Sequence, residues 1–194
     1  MMKTKPTILF IAPAHNEQEH QCLLINSLLN QAEGNWKCVI YHNGPNQYMK
    51  NQVESIGDTR ITYMESVSDT GMWGCKNRQH AIDICDTEYI INTSVQDYYT
   101  PNTVQEITRA LESGADIVHW QAINHLFRYS VLSGEIAFGH LDWGQWCVKT
   151  DIIKKVGIQK PSEFVADWHT VQAVLQSGLV RSVVKIDKIL TVHN

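Results

Sequence analysis

Five short segments bring together side chains able to take a proton, carry charge or grip an anion. They are Pro13-Ala14-His15-Asn16-Glu17, His42-Asn43-Gly44-Pro45-Asn46, the stretch from Asp69 to Arg78, the polar loop Thr93-Ser94-Val95-Gln96-Asp97-Tyr98-Tyr99-Thr100-Pro101-Asn102 and Ala166-Asp167-Trp168. A carboxylate such as Asp167 at the start of a helix either caps that helix or, facing a cleft, takes the proton of a hydroxyl. Arg78, Lys76 and backbone N–H groups near Gly71 and Gly74 are the kind of donors a phosphate needs, although Arg78 on an outer helix face would be only a solvated charge. Trp143, Trp146 and Trp168 are either platforms for a sugar face or core residues. Taken singly, the polar segments also read as turns, because Asn, Gly and Pro form turns and Asn16 or Asn46 can cap a helix. The five cysteines (Cys22, Cys38, Cys75, Cys85, Cys147) are scattered without C-x-x-C spacing, which indicates reduced thiols rather than a zinc site or disulfide framework.

The elements that must position these residues follow from the hydrophobic pattern. Short apolar runs at 7–12, 36–41, 61–64 and 89–92 alternate with helical patterns at 17–31, 47–56 and 73–85, the signature of βαβ units on a mostly parallel sheet. A helix is expected after Pro101, with Val104, Ile107 and Leu111 on one face and Gly114 ending it before a strand over 116–120. The second half reads as a hairpin or loop excursion over 124–140, a strand over 145–149, helices over 151–156 and 164–176 stopped by Gly157 and Gly178, and mostly strand over 180–192. A length of 194 residues fits one α/β domain over 1–194, and a net charge of -4 excludes a global basic field for nucleic acid or an anionic membrane. Any phosphate must therefore be held locally. The apolar run Ile8 to Ala12 is too short for a signal h-region or a membrane span, so the expectation is a cytoplasmic chain without a transmembrane segment. In open α/β sheets ligands sit at the carboxyl ends of the strands, which is where four of the five polar segments fall or lie alongside.

The order of these segments resembles family 2 glycosyltransferases of the GT-A fold over nearly the full length. Ile11-Ala12-Pro13-Ala14-His15-Asn16-Glu17 is similar to the family's opening strand and the segment bordering the nucleotide base. Val39-Ile40-Tyr41-His42-Asn43-Gly44 stands where the family has a strand ending in D-D-G or D-N-G, and Thr70 to Ile82 resembles its glycine-rich, arginine-bearing stretch. Residues 147–157 and Ala166-Asp167-Trp168 resemble its later strand–helix ending in glycine and its x-D-W catalytic segment. The resemblance implies a nucleotide-sugar donor, most commonly UDP-linked, held by Pro13, His15, Asn16, Glu17, Asn43, Asp69, Gly71, Arg78, Ser94, Val95 and Gln96. It implies Asp167 as the base that deprotonates an acceptor hydroxyl (of a carbohydrate, lipid or protein), with inversion, and allows a homo-oligomer. The family's D-x-D motif is replaced here: Ser94 and Gln96 occupy the aspartate positions, leaving Asp97 as the carboxylate. If Mn²⁺ or Mg²⁺ binds, the resemblance makes Asp97 and His193 its ligands, with binding dependent on donor phosphates, since neutral oxygens attract hard cations poorly. The altered motif also fits a catalytically inactive nucleotide- or carbohydrate-binding or interaction domain. A nucleotidyltransferase is disfavoured, because Pro13-Ala14-His15-Asn16 stands where a G-x-G-x-R-like loop belongs.

Overall fold

The computed structural model describes residues 7–15, 21–69, 71–125 and 128–194. Among them, strands β1 (Ile8–Ala14), β2 (Trp36–His42), β3 (Ile61–Glu65), β4 (Tyr89–Asn92), β5 (Asp97–Tyr99), β6 (Ile117–Asn124), β7 (Ser130–Leu132), β8 (Trp146–Lys149) and β9 (Val183–His193) form one sheet. Its order is β3-β2-β1-β4-β8-β6-β9-β5, with β7 paired to β6. The half built from β3, β2, β1 and β4 is parallel, whereas β8 runs antiparallel between β4 and β6, and β9 lies parallel to β6.

Among the described residues six α-helices cover the sheet: α1 (Gln21–Leu29), α2 (Gln47–Ser55), α3 (Cys75–Ile84), α4 (Thr103–Glu112), α5 (Thr150–Val156) and α6 (Ala166–Gln176). Side chains alternate across a strand, so β1 feeds two cores. Ile8, Phe10 and Ala12 join Leu24, Leu28, Met49, Val53, Val104 and Ile107 on the face of α1, α2 and α4. Leu9 and Ile11 join Ala81, Ile82, Ile153, Val171 and Val174 on the face of α3, α5 and α6. A strand buried on both sides must be apolar throughout, which is why β1 reads as an unbroken run.

Local signals set the helix ends. The Asn46 side chain accepts from the Met49 N–H at 3.0 Å to start α2, and Gly157, at φ 71°, ends α5 where a β-carbon would be strained. In α4 the buried residues Val104, Ile107, Thr108 and Leu111 keep helical spacing. Two features differ from the sequence expectation. Residues 97–99, expected within a polar loop, form β5 by pairing antiparallel with β9, Asp97 opposite His193. Pairing between residues nearly a hundred positions apart leaves no local pattern. Helix α3 begins at Cys75 after a single 3₁₀ turn over Met72–Gly74, slightly later than the pattern suggests.

Where β6, β8 and the entry to β9 converge, buried Asp116 accepts from Lys149 Nζ at 2.6 Å and from the Arg181 and Ser182 backbone N–H groups at 2.7 and 3.2 Å. The ammonium is 40% exposed, so its pairing adds little; the two backbone donors matter more, since each would be stranded without its acceptor. We predict that Asp116→Ala costs about 2 kcal/mol, read as a fall in melting temperature of roughly 4–8 °C. An unchanged melting temperature would show that these bonds do not hold the junction.

Candidate functional site

A cavity of about 420 Å³ opens at the carboxyl end of β4, between the loop 93–96, the turn Trp143–Gln145 and the start of α6. Residues expected to do chemistry from opposite ends of the chain meet in it: Arg78, Ser94, Asp97, Asp167 and His193 all line its wall.

Asp97 is 2% exposed and every oxygen is engaged. Oδ2 accepts from the Thr93 hydroxyl at 2.5 Å and the Ser94 N–H at 2.9 Å, and Oδ1 faces His193 Nδ1 at 2.6 Å. The Tyr99 hydroxyl donates to Thr93 Oγ1 at 2.8 Å, extending the chain of bonds into the core. Gly144 is required beside it, because a β-carbon there would lie 2.7 Å from Asp97 Oδ2. His193 ends β9, paired opposite Asp97. Burial pulls its pKa down, but the bond to Asp97 and the charges of Asp97 and Asp142 outweigh this and raise it.

Arg78 is 6% exposed, on the inner face of α3 rather than the solvated one. Its Nη2 donates to the Thr93 carbonyl at 2.7 Å, and its guanidinium lies 5.3 Å from the centre of the Trp143 ring. Burial lowers its pKa while Cys75, Asp142, Asp97 and Asp167 counter that, and a guanidinium keeps its charge under such a balance. Lys76, by contrast, is exposed and does not line the cavity.

Asp167 sits in the first turn of α6, two residues past the N-cap Val165, and accepts from the Trp168 N–H at 2.7 Å. Its pKa is pushed up to about 7, first by burial and then by the charge of Asp142, against the pull of that N–H and Arg78. A carboxyl group titrating near neutrality on a cavity wall can act as a general base.

The remaining expected donor residues gather beside the cavity, past the ends of β1 and β2. Asn43 Nδ2 donates to Asp69 Oδ1 and lies 3.5 Å from His15 Nδ1. The Gly71 N–H donates to the same Asp69 oxygen at 2.7 Å, and His15 Nε2 is 3.9 Å from Asp69 Oδ2. The Gly71 N–H bond is the chief cause of the lowered pKa of Asp69. Gly74 joins this cluster to the cavity: at φ 72° it starts α3, and a β-carbon there would stand 2.5 Å from Pro13 Cβ and 3.4 Å from Arg78 Nη1. Asn16 and Glu17 lie outside the described residues.

Two of the expected donor residues do not face the cavity. The Val95 side chain is fully buried in the larger core and has no face on the cavity, because the apolar position of this short loop is drawn under the sheet. Gln96 does not line the cavity either; its backbone N–H donates to Ser94 Oγ at 3.2 Å and its backbone carbonyl accepts from the Asn194 N–H at 3.4 Å. Among the tryptophans, Trp146 is core and stacks on Trp143 with centroids 6.2 Å apart and an 18° interplanar angle.

Asp142 was not expected. It lines the cavity between Asp97 and Asp167, accepting from Trp143 N at 2.6 Å and Asn124 Nδ2 at 3.1 Å. Its own N–H donates to Gln145 Oε1 at 2.9 Å, completing a capping box. Burial and the Asp97 charge raise its pKa, opposed by His193, the Trp143 N–H and Arg78. The D-x-x-Q spacing of Asp142 and Gln145 was the available signal in the sequence.

The donor set does not fit a divalent cation held by the protein itself. Asp97 is saturated by Thr93, Ser94 and His193, the D-x-D positions carry Ser94 and Gln96, and no group of three His, Cys, Asp or Glu side chains among the described residues could hold an ion. Hard cations require several oxygen ligands.

This sheet order, with a ligand cavity and polar cluster at the strand ends and a titratable aspartate opposite a buried arginine, defines a GT-A type nucleotide-sugar transferase architecture. The chain belongs to glycosyl transferase family 2, whose model matches residues 9–128. It is 28% identical over 140 residues to WcaA of Escherichia coli (strain K12), which carries the name of a colanic acid biosynthesis glycosyl transferase; the match covers 70% of this chain and 47% of that one. The chain thus spans about half the length of this curated relative. Among solved structures, S. aureus TarS 1-349 in complex with UDP-GlcNAc superimposes with a TM-score of 0.81 at 15% identity, covering 96% of this chain and 58% of that one. The mannosyltransferase PcManGT from Pyrobaculum calidifontis, in complex with GDP-Man and Mn²⁺, superimposes with a TM-score of 0.74 at 13% identity, covering 98% and 57%. No helix among the described residues is long and apolar enough to cross a membrane.

The saturation of Asp97 generates a prediction. Mn²⁺ titrated into the nucleotide-free protein and followed by electron paramagnetic resonance should show no saturable binding. A tight ion under those conditions would mean that Asp97 exchanges its hydrogen bonds for metal and that the donor set has been misread.

Proposed function

We propose that this chain transfers a sugar from a UDP-linked donor to an acceptor hydroxyl, with Asp167 as the general base and inversion at the anomeric carbon. The observation that carries the reading is Asp167 on the cavity wall with its pKa pushed up to about 7, facing a space shared with Arg78 and His193. TarS, of like fold, has been captured with UDP and with UDP-GlcNAc, which supports a uridine nucleotide in the cluster of His15, Asn43, Asp69 and Gly71.

In this reading the acceptor oxygen forms its bond to the anomeric carbon as the bond to the diphosphate oxygen breaks, and the acceptor proton passes to the Asp167 carboxylate. Alignment of the two reactants in one cavity supplies much of the rate. Arg78 answers the charge that develops on the departing diphosphate, at a buried position where such an interaction is strong. A retaining route would need a second carboxylate as nucleophile. Asp142 suits that role poorly, because its oxygens are held by Trp143 and Asn124 and burial favours its neutral form. An inactive binding domain would share the donor cluster and differ in turnover alone.

Calorimetry with nucleoside diphosphates should detect UDP, and no heat with any of them would remove the donor site. Asp167→Asn should lower transfer by at least about 100-fold while leaving the UDP affinity within about twofold, since the lost interaction belongs to the transition state. Comparable rates for the two proteins would exclude Asp167 as base. The sign of the pH dependence follows from the same group: the base works ionised, so kcat/KM should fall as pH drops below about 7. A profile flat from pH 8 to pH 5 would contradict the assignment.

A further inference from the structure

The cavity wall is divided by chemistry. Arg78, Thr93, Ser94, Asp97 and His193 make one side polar. Apart from Asp142 and Asp167 themselves, the lining that includes Asp167 and its chain neighbours Val165 and Trp168 is largely apolar, with Phe138 coming from one loop and Phe164 from another. Phe138 is 64% exposed and Phe164 is 73% exposed. Fully burying such a side chain stabilises a protein by roughly 1.5–3 kcal/mol, and neither core receives these two. Phe138 meets the edge of Trp168 in a T-shaped pair, centroids 6.1 Å apart at 74°, so one ring from each element is already oriented at the mouth. Trp143 does not belong to this group, being committed to Trp146 and Arg78.

We propose that Phe138, Phe164 and Trp168 form an acceptor subsite that receives the apolar face of a pyranose ring, making the acceptor hydroxyl a sugar hydroxyl. This rests on the transferase reading, which puts the acceptor on the side of the base. A group docked there must do two things within one short span: cover aromatic surface and present a hydroxyl to the Asp167 carboxylate. A pyranose does both, with C–H bonds on its faces and hydroxyls on its rim. A long-chain alcohol covers the rings but offers one hydroxyl at its end, and a serine or threonine side chain offers a hydroxyl with almost no apolar face. Aromatic rings add geometric preference to simple burial, so the three rings would also set the tilt at which the ring's hydroxyl reaches Asp167.

The test uses the whole chain loaded with saturating UDP. Methyl pyranosides of glucose, galactose, mannose and N-acetylglucosamine are offered alongside farnesol and a threonine peptide, and contact is read by saturation-transfer difference NMR. At least one pyranoside should bind through its C–H protons, and Phe138→Ala with Phe164→Ala should weaken it by about tenfold, the equivalent of 1.4 kcal/mol. Both phenylalanines are exposed, so the double variant should melt with the wild type, and its UDP affinity, measured separately, keeps the donor site out of the comparison. Binding of farnesol or the peptide but of no pyranoside, no binding by any of the panel, or equal pyranoside affinity in the variant would each overturn the subsite while UDP binding left the transferase reading standing. Failure to bind UDP at all would overturn both.

Discussion

The carboxylate of Asp97 is the constraint on which the rest of the site depends. Burying a charge is costly unless it is fully hydrogen-bonded, and here the bonds come from two places: the loop after β4 through Thr93 and Ser94, and the end of β9 through His193. Meeting that demand draws β5 against β9, holds the loop open toward the cavity and requires Gly144 to pass close by without a side chain. Thr191, beside this junction, accepts from the buried Trp120 indole at 2.7 Å and donates to the Gly144 carbonyl at 3.1 Å, so the core and the site share a wall.

The same burial separates the cavity's other carboxyl groups into roles. Asp142 is tied down by neighbours on its own turn and by Asn124, whereas among the described residues the Asp167 carboxyl is held by backbone N–H groups of its own first turn and faces the cavity. Both are shifted toward the neutral form, but the group with free space is the one able to meet a substrate. Arg78, bound to the Thr93 carbonyl, places a fixed positive charge on the same cavity wall, the charge that the proposed transfer assigns to the departing diphosphate. Gly74 transmits this order to the neighbouring cluster, since the packing of Pro13 against it sets how close β1 comes to the start of α3.

The division of the cavity into a polar wall and an aromatic one has an energetic logic. Rings as exposed as Phe138 and Phe164 forgo part of the stabilisation that full burial would give. Phe138 and Phe164 are held out by loops whose geometry is fixed elsewhere, the first between strands β7 and β8 and the second between helices α5 and α6. Strain or exposure of this kind tends to collect where a chain meets a ligand.

What the sequence by itself determined is the parallel half of the sheet, its helices, and the order of polar segments at the strand ends. Each of these is written in local signals: the unbroken apolar run of β1, the Asn46 cap, the Gly157 stop, the helical spacing of Val104, Ile107 and Leu111. The altered D-x-D positions and Asp167 were likewise legible as residues. The tertiary structure alone decided which of them face one another. Asp97 and His193 are joined by a strand pairing across 96 residues, Arg78 is buried instead of solvated, and Val95 turns into the core beside Ser94, which turns into the cavity. Asp142 and the two exposed phenylalanines come from loops without periodicity, where no local rule says which way a side chain points. Burial and charge act through space, so the protonation of Asp167 and the partners of Asp97 exist only once the chain has closed around them.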